Sequence, residues 1–164
     1  MEEGFRLLMS EHQERIYAQV RGMVQSHEDA SDVVQNIFIK VYGAIKGFEG
    51  KSKISTWLYR IAANESLTFL KRNQKRQTSS NSYEHLALVK ADVFVEESEI
   101  TALLKSAMQN LPERQKMIFN LRYFDELTYE EISKILNVKT GGLKASFHHA
   151  VKKIKAYVKE NQVT

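Results

Sequence analysis

Apolar residues recur along this chain at helical spacing, and no stretch sustains the two-residue alternation of a strand. The most regular run is Ala30, Val33, Val34, Ile37, Phe38, Val41, Tyr42 and Ile45, which predicts one amphipathic helix that Gly43 and Gly47 help to close. Leu7, Leu8, Ile16, Tyr17, Val20, Met23 and Val24 predict earlier helices, and Ile54, Trp57, Leu58, Ile61 and Ala62 begin a later one. Packed together, these stripes make one helical lobe. From Asn73 to about Glu97 the pattern fails, with a Ser/Asn-rich patch at Thr78 to Ser82, and the stretch reads as a tether.

A second set of stripes follows. Ile100, Leu103, Leu104, Ala107, Met108 and Leu111 come after Ser98 as an N-cap and stop at Pro112, the only proline. Pro112 fits the first turn of a new helix, where a missing N–H is harmless. That helix is expected to hold Met117, Ile118, Leu121 and Phe124, and Asp125-Glu126-Leu127 leads on to Thr128. Thr128 and Glu131 have the spacing of a capping box, and Ile132, Ile135 and Leu136 continue the helix until Asn137-Val138-Lys139 interrupts it. Leu143, Phe147, Ala150, Val151, Ile154, Tyr157 and Val158 then form one narrow stripe. A short capped helix, a three-residue turn and a longer helix have the spacing of a helix-turn-helix, whose second helix enters a DNA groove. The expected fold class is all-α: two small helical domains, residues 1–73 and 98–164, joined by a polar linker over 74–97. No internal repeat is detectable.

Composition narrows the possibilities. The 164 residues are 43% hydrophobic, enough to build a core in one or two domains. With no cysteine, disulfides and thiolate zinc sites are excluded. Met1 to Met9 carries no apolar leader core, and no run approaches the roughly 18 unbroken apolar residues of a membrane span, so a cytoplasmic protein with no membrane span is expected. The net charge of +4 conceals a gradient: ten Lys/Arg against nine Asp/Glu over 1–73, three against four over 74–98, and eleven against seven over 99–164. Basic charge gathers at the C-terminal end, and from Lys139 to Lys159 there are six lysines and no acidic residue.

Opposite Leu143 on that last helix lie Gly141, Ala145, His148, His149 and Lys152, with Lys144 and Ser146 on the shoulders and Thr140 at its start. Thr140, Lys144, Ala145, His148, His149 and Lys152 are the candidate groove-facing residues. The plainer reading of such a helix is a solvated lysine face. On the Ala30 to Ile45 helix, the face away from the stripe presents Asp32, Gln35, Asn36 and Ile39. An isoleucine among short polar groups outside the core points to a protein partner, unless Ile39 packs against a neighbouring helix. From Gly47 to Asn64, Lys51, Lys53 and Arg60 are interleaved with Phe48, Trp57 and Tyr59 around the Gly-containing turn GFEGKS. Charge to hold phosphates beside rings to receive unstacked bases suits a single-strand binder, although Phe48 and Trp57 also sit on or near the core stripe. Lys71, Arg72, Lys75 and Arg76 either prolong that phosphate path or solubilise the helix end.

Two segments carry a family resemblance. HEDASDVVQNIFIKVYGAIKGFEGKSKISTWLYRIAANESLTFLKR resembles region 2 of the extracytoplasmic function (ECF) sigma factors of bacterial RNA polymerase. LPERQKMIFNLRYFDELTYEEISKILNVKTGGLKASFHHAVKKIK resembles their region 4. The resemblance covers both lobes in order. It implies an initiation subunit that docks on core RNA polymerase, opens promoter DNA at the -10 element through region 2, and reads the -35 element through region 4. It further implies that Asp32, Gln35, Asn36 and Ile39 meet the coiled coil of the largest polymerase subunit, with Asn36 standing where an acidic residue is common. By the same resemblance, the Lys51 to Ser55 loop captures a flipped base, and Ser55, Thr56, Arg60 and Asn64 line the opened strand. An anti-sigma factor is the implied regulator. Ser146, His148 and His149 depart from the family, which often carries arginine or another long side chain there. Fewer bidentate guanine contacts are then available, and readout is expected to lean on Lys144, Lys152 and backbone amides.

Two other readings compete. A helix-turn-helix transcriptional regulator that never binds polymerase would share the C-terminal half, but no sensing pocket or receiver-type aspartate pattern is visible. An enzyme is disfavoured: the histidines are scattered or adjacent, and no phosphate loop, nucleophile motif, cofactor site or metal site is visible.

Overall fold

The structure, a computed structural model, describes residues 2–79 and 99–161. Two compact units divide the chain, residues 1–90 and 91–164. All regular structure among the described residues is helical.

The first unit packs three helices, α1 (Glu2–Met23), α2 (His27–Ala44) and α3 (Ile54–Ser79), against one another. One continuous helix stands where earlier helices were expected, and its N-terminal half lies at the edge: Leu7 is exposed, while Ile16, Val20, Met23 and Val24 are buried. Ser26 caps α2 by accepting a hydrogen bond from the Asp29 N–H at 3.0 Å, and Glu28 and Asp29 complement the helix dipole there. The core is Ala30, Val33, Ile37, Phe38 and Val41 from α2 with Leu58, Tyr59, Ala62 and Ala63 from α3. A short 3-10 turn, Ile45–Gly47, closes α2 where the glycines were expected to end it. The tether was expected from residue 74, whereas α3 runs on to Ser79. Gln74, Lys75 and Arg76 are exposed there, so apolar periodicity had no means of showing them.

The second unit begins with α4 (Glu99–Gln109); Ser98, expected to cap it, lies outside the described residues. Pro112 is the N-cap residue of α5 (Glu113–Phe119), one position earlier than expected, with φ −53° and ψ 141°. Its carbonyl accepts the Lys116 N–H at 2.9 Å, so the ring's missing N–H is not needed. The helix does not continue regularly to Phe124. A π-helical turn over Asn120–Phe124 widens it, closed by the Asp125 N–H on the Asn120 carbonyl at 3.1 Å, and Tyr123 and Phe124 emerge exposed while Leu121 stays buried. α6 (Tyr129–Leu136) starts on the expected capping box and ends on Asn137 in the left-handed conformation, φ 54°. α7 (Thr140–Asn161) closes the unit with Leu143, Ala150 and Ile154 buried and Phe147, Val151, Tyr157 and Val158 packed against the core.

Candidate nucleic-acid and partner interfaces

On α2, Asp32, Gln35, Asn36 and Ile39 follow a spacing of three and four residues, share one face, and are all exposed. Ile39 is 63% exposed, so it does not pack inside the lobe. Three residues on, Tyr42 is also partly open and meets Phe5 of α1 edge-to-face at 5.1 Å. The helix is held at its start by the Tyr17 hydroxyl against His27 Nδ1 at 2.5 Å and by Arg21, which donates to the Val24 carbonyl at 3.0 Å and to that of Gln25. Lys40 on its flank pairs with Glu65 of α3.

The second candidate set spans the turn before α3 and the first half of that helix. Gly50 takes a positive φ of 68°, a conformation that suits a residue without Cβ. Lys51 and Lys53 project into solvent, Lys51 beside Glu49 with both side chains open to water. Behind them Phe48 and Trp57 lie half-buried, ring centroids 5.2 Å apart, as part of the lobe edge. Arg60 and Asn64, one turn apart, are exposed, and Ser55 is half-buried. Thr56 differs: at 8% exposed in the first turn of α3, two residues before the fully buried Leu58, it belongs to the lobe interior. Lys51, Lys53, Arg60 and Asn64 are thus open to solvent, with Ser55 half-buried and Thr56 buried.

On α7, Lys144, Ala145, His148, His149 and Lys152 are exposed along one side, and Thr140, the first residue of the helix, is half-buried. The His148 and His149 rings stand 6.1 Å apart and edge-to-face, both in solvent. Two residues that periodicity does not single out join this surface. The Lys144 ammonium lies 5.8 Å from the centre of the Tyr129 ring and the Arg122 guanidinium 5.2 Å from the same ring. Arg122 also donates to the Leu127 carbonyl at 3.1 Å, tying the π turn to the loop before α6. Arg122, Tyr123, Glu126, Tyr129 and Phe147 line an open basin of about 470 Å³. The cluster draws on three separate elements, the π turn, α6 and α7, which is why no single helical stripe announces it.

Among the described residues no group of three or more His, Cys, Asp or Glu is placed to hold a metal ion, and no helix is long and apolar enough to cross a membrane.

An exposed α2 face, a basic turn beside aromatic rings and the lysine-rich α7 are the candidate surfaces, and the sequence around them matches known proteins. Residues 8–76 match the model of sigma-70 region 2, and residues 101–154 match that of sigma-70 region 4. The chain is 31% identical over 160 residues to the ECF RNA polymerase sigma-E factor of Escherichia coli strain K12, covering 91% of this chain and 83% of that one. It is 32% identical over 163 residues to the sigma-E factor of Haemophilus influenzae, covering 90% and 84%. Among solved structures, sigma factor RpoE in complex with the anti-sigma factor NepR, from Bartonella quintana, matches with a TM-score of 0.76 at 18% identity over 97% of this chain and 99% of that one. CnrH in complex with the cytosolic domain of CnrY matches at 0.73 and 17% identity over 98% and 91%. The chain belongs to the ECF sigma factors of bacterial RNA polymerase. As a sigma factor it binds core RNA polymerase and promoter DNA, and the reading as a regulator independent of polymerase is not favoured. Sigma factors in general are not enzymes.

Proposed function

We propose that the exposed α2 face of Asp32, Gln35, Asn36 and Ile39 is the surface that engages the coiled coil of the largest polymerase subunit. The observation that carries this is Ile39: it stays in solvent while Val33, Ile37, Phe38 and Val41 of α2 are buried, and a large aliphatic side chain beside short polar groups fits the desolvated centre of an interface. Lys51, Lys53, Ser55, Arg60 and Asn64 then hold the opened -10 strand, charge on its phosphates and the loop on an extruded base. Thr56, next to Ser55 in the first turn of α3, is buried.

Thr140, Lys144, Ala145, His148, His149 and Lys152 face the -35 duplex, with contacts weighted toward the phosphate backbone. The mechanism is non-catalytic: binding energy from polymerase and the two promoter elements stabilises melted DNA, while polymerase performs the nucleotide chemistry in the cytoplasm. An anti-sigma factor, of the kind that accompanies the solved RpoE, regulates the chain by covering these faces. Run-off transcription tests the reading. Purified chain added to bacterial core polymerase on supercoiled promoter DNA should give initiation that depends strictly on the chain, and Ile39→Ala or Asp32→Ala should reduce holoenzyme assembly. Promoter binding by the chain with no association to core would overturn it.

A further inference from the structure

The two histidines of α7 stand in surroundings of one sign. At 100° per residue, His148 falls between Lys144 and Lys152, and His149 between Lys152 and Lys153, on the side of the helix away from its buried stripe. All of these side chains are exposed. Lys155 and Lys159 continue that side, and no acidic residue interrupts it from Lys139 to Lys159. α4 and α5 meet the opposite side of α7, through a core that includes Met108, Phe119, Ala150 and Ile154. Near the start of α7, Arg122 and Lys144 gather about Tyr129 of α6, and Glu126 is the one carboxylate that lines the basin with Arg122 and Phe147. Of the other charged residues of α6, Glu131 is held in the capping box, while Glu130 and Lys134 are exposed. Among the described residues neither histidine has a hydrogen bond or an ion pair, and the two rings meet edge-to-face at 6.1 Å.

In the free chain, then, no carboxylate on α7 between Lys139 and Lys159 answers a positive charge on either ring. A DNA backbone does. Phosphates close to an imidazole favour its charged form, and the charged ring donates from both nitrogens where the neutral ring donates from one. Histidine is also the side chain whose charge ordinarily changes between about pH 5 and 8. We infer that His148 and His149 take up protons when α7 meets DNA, so that affinity for the -35 duplex rises as pH falls through the histidine range. The inference rests on the assignment of α7 to that duplex. A lysine or arginine at these positions would carry its charge throughout; the histidine pair makes the attraction depend on protons. Linkage fixes the sign: where the bound state holds more protons than the free state, affinity falls with rising pH, and it levels off where the two hold equal numbers. Rings this close oppose one another once both are charged, so the uptake lies between about one and two protons.

The test uses polymerase holoenzyme assembled with this chain, bound to one duplex that carries the -35 element, at fixed ionic strength from about pH 5.5 to 8. The pair His148→Gln and His149→Gln keeps hydrogen-bonding groups that cannot charge. Log affinity of the parent should fall with pH more steeply than that of the glutamine pair, and the difference in slope counts the protons taken up, about one to two. Comparing the slopes cancels titration elsewhere in the polymerase. The pair His148→Arg and His149→Arg, charged throughout, should lose the steeper slope and bind more tightly than the glutamine pair at every pH. Calorimetry in two buffers of different ionisation enthalpy reads the same protons directly. Equal slopes for the parent and the glutamine pair would overturn the inference, as would binding heats that shift identically with buffer in both. If Lys144→Ala together with Lys152→Ala leaves the affinity intact, α7 does not face the duplex; the underlying assignment then fails, and the inference falls with it.

Discussion

Ile37 and Ile39 stand two residues apart on α2 and point to opposite worlds: Ile37 is fully buried against the lobe core, and Ile39 is 63% exposed. Two residues on a helix turn the side chain by about 200°, so the same residue type reports on packing at one position and on docking at the other. Ile37→Ala is expected to cost about 2–4 kcal/mol of unfolding free energy by leaving a cavity. Ile39→Ala is expected to change stability by less than about 0.5 kcal/mol. Its effect appears instead as weaker association with core polymerase. Denaturant unfolding alongside a core-binding titration separates the two, and an Ile39→Ala protein that unfolds early yet binds core normally would contradict the division.

Glu126 takes a φ of 54° in the loop between the π turn and α6, where its backbone is fixed by neighbours. Arg122 holds the Leu127 carbonyl at 3.1 Å, and the Leu127 N–H reaches the Leu121 carbonyl at 3.0 Å. A residue with a Cβ is disfavoured in this conformation by roughly 1–2 kcal/mol, whereas glycine accepts it freely and loses roughly 0.5–1 kcal/mol through the greater freedom of its unfolded chain. Glu126→Gly should therefore raise stability by about 0.5–1 kcal/mol. Asn137, at the same φ, belongs to a residue type that tolerates it, so Asn137→Gly should gain less. Thermal unfolding of the two variants against the parent decides the ranking.

Lys116 opens an unbroken run of buried residues that continues through Met117, Ile118, Phe119 and the polar Asn120 to Leu121. Burial holds its ammonium below the ordinary lysine value of 10.5, against the opposing pull of Glu113. The native chain therefore releases this proton at lower pH than the unfolded chain does. Between the two values the unfolded state binds more protons, so stability rises with pH in that window and levels off above 10.5. Below that window the lysine is charged in both states, and its desolvation counts in full against the fold. Lys116→Met should flatten the rise and leave the protein more stable at neutral pH. Denaturant unfolding followed from neutral pH to the lysine range reads both effects, and an unchanged pH profile in the methionine variant would assign the rise to other groups.

What the sequence discloses follows from what apolar spacing measures. α2 and α7 were legible because each lays a long narrow stripe against its neighbours, and the helix-turn-helix because Thr128 and Glu131 mark a start as Asn137 marks a stop. Spacing detects burial rather than helicity, and so it missed the last turns of α3, whose Gln, Lys and Arg favour a helix without covering a core. It also misjudged α5. That helix lies buried nearly all round, which hides Lys116 in a run of apolar neighbours, and the π turn then rotates Phe124 out of the core. The exposure of most candidate residues was readable as the complement of the stripes, whereas Ser55 and Thr140 are half-buried and Thr56 is buried. Contacts that join separate elements, such as Arg122 and Lys144 about Tyr129, leave no trace in any local window.

His148 and His149 occupy the exposed side of α7 between Lys144 and Lys152. A histidine ring nitrogen makes a single hydrogen bond, and the pair cannot reproduce the forked contact of arginine with guanine, so each should contribute at the low end of a base contact. His148→Ala and His149→Ala are expected to weaken binding of holoenzyme to its preferred -35 sequence by about 1 kcal/mol each, with smaller losses on substituted sequences. Lys152→Ala should act differently, weakening all sequences alike and reducing the salt slope by about one. A panel of -35 variants bound at several salt concentrations distinguishes base readout from backbone positioning. Silent histidine variants on every sequence would remove these two residues from the reading surface and leave Lys144, Lys152 and the start of α7 to carry the contact.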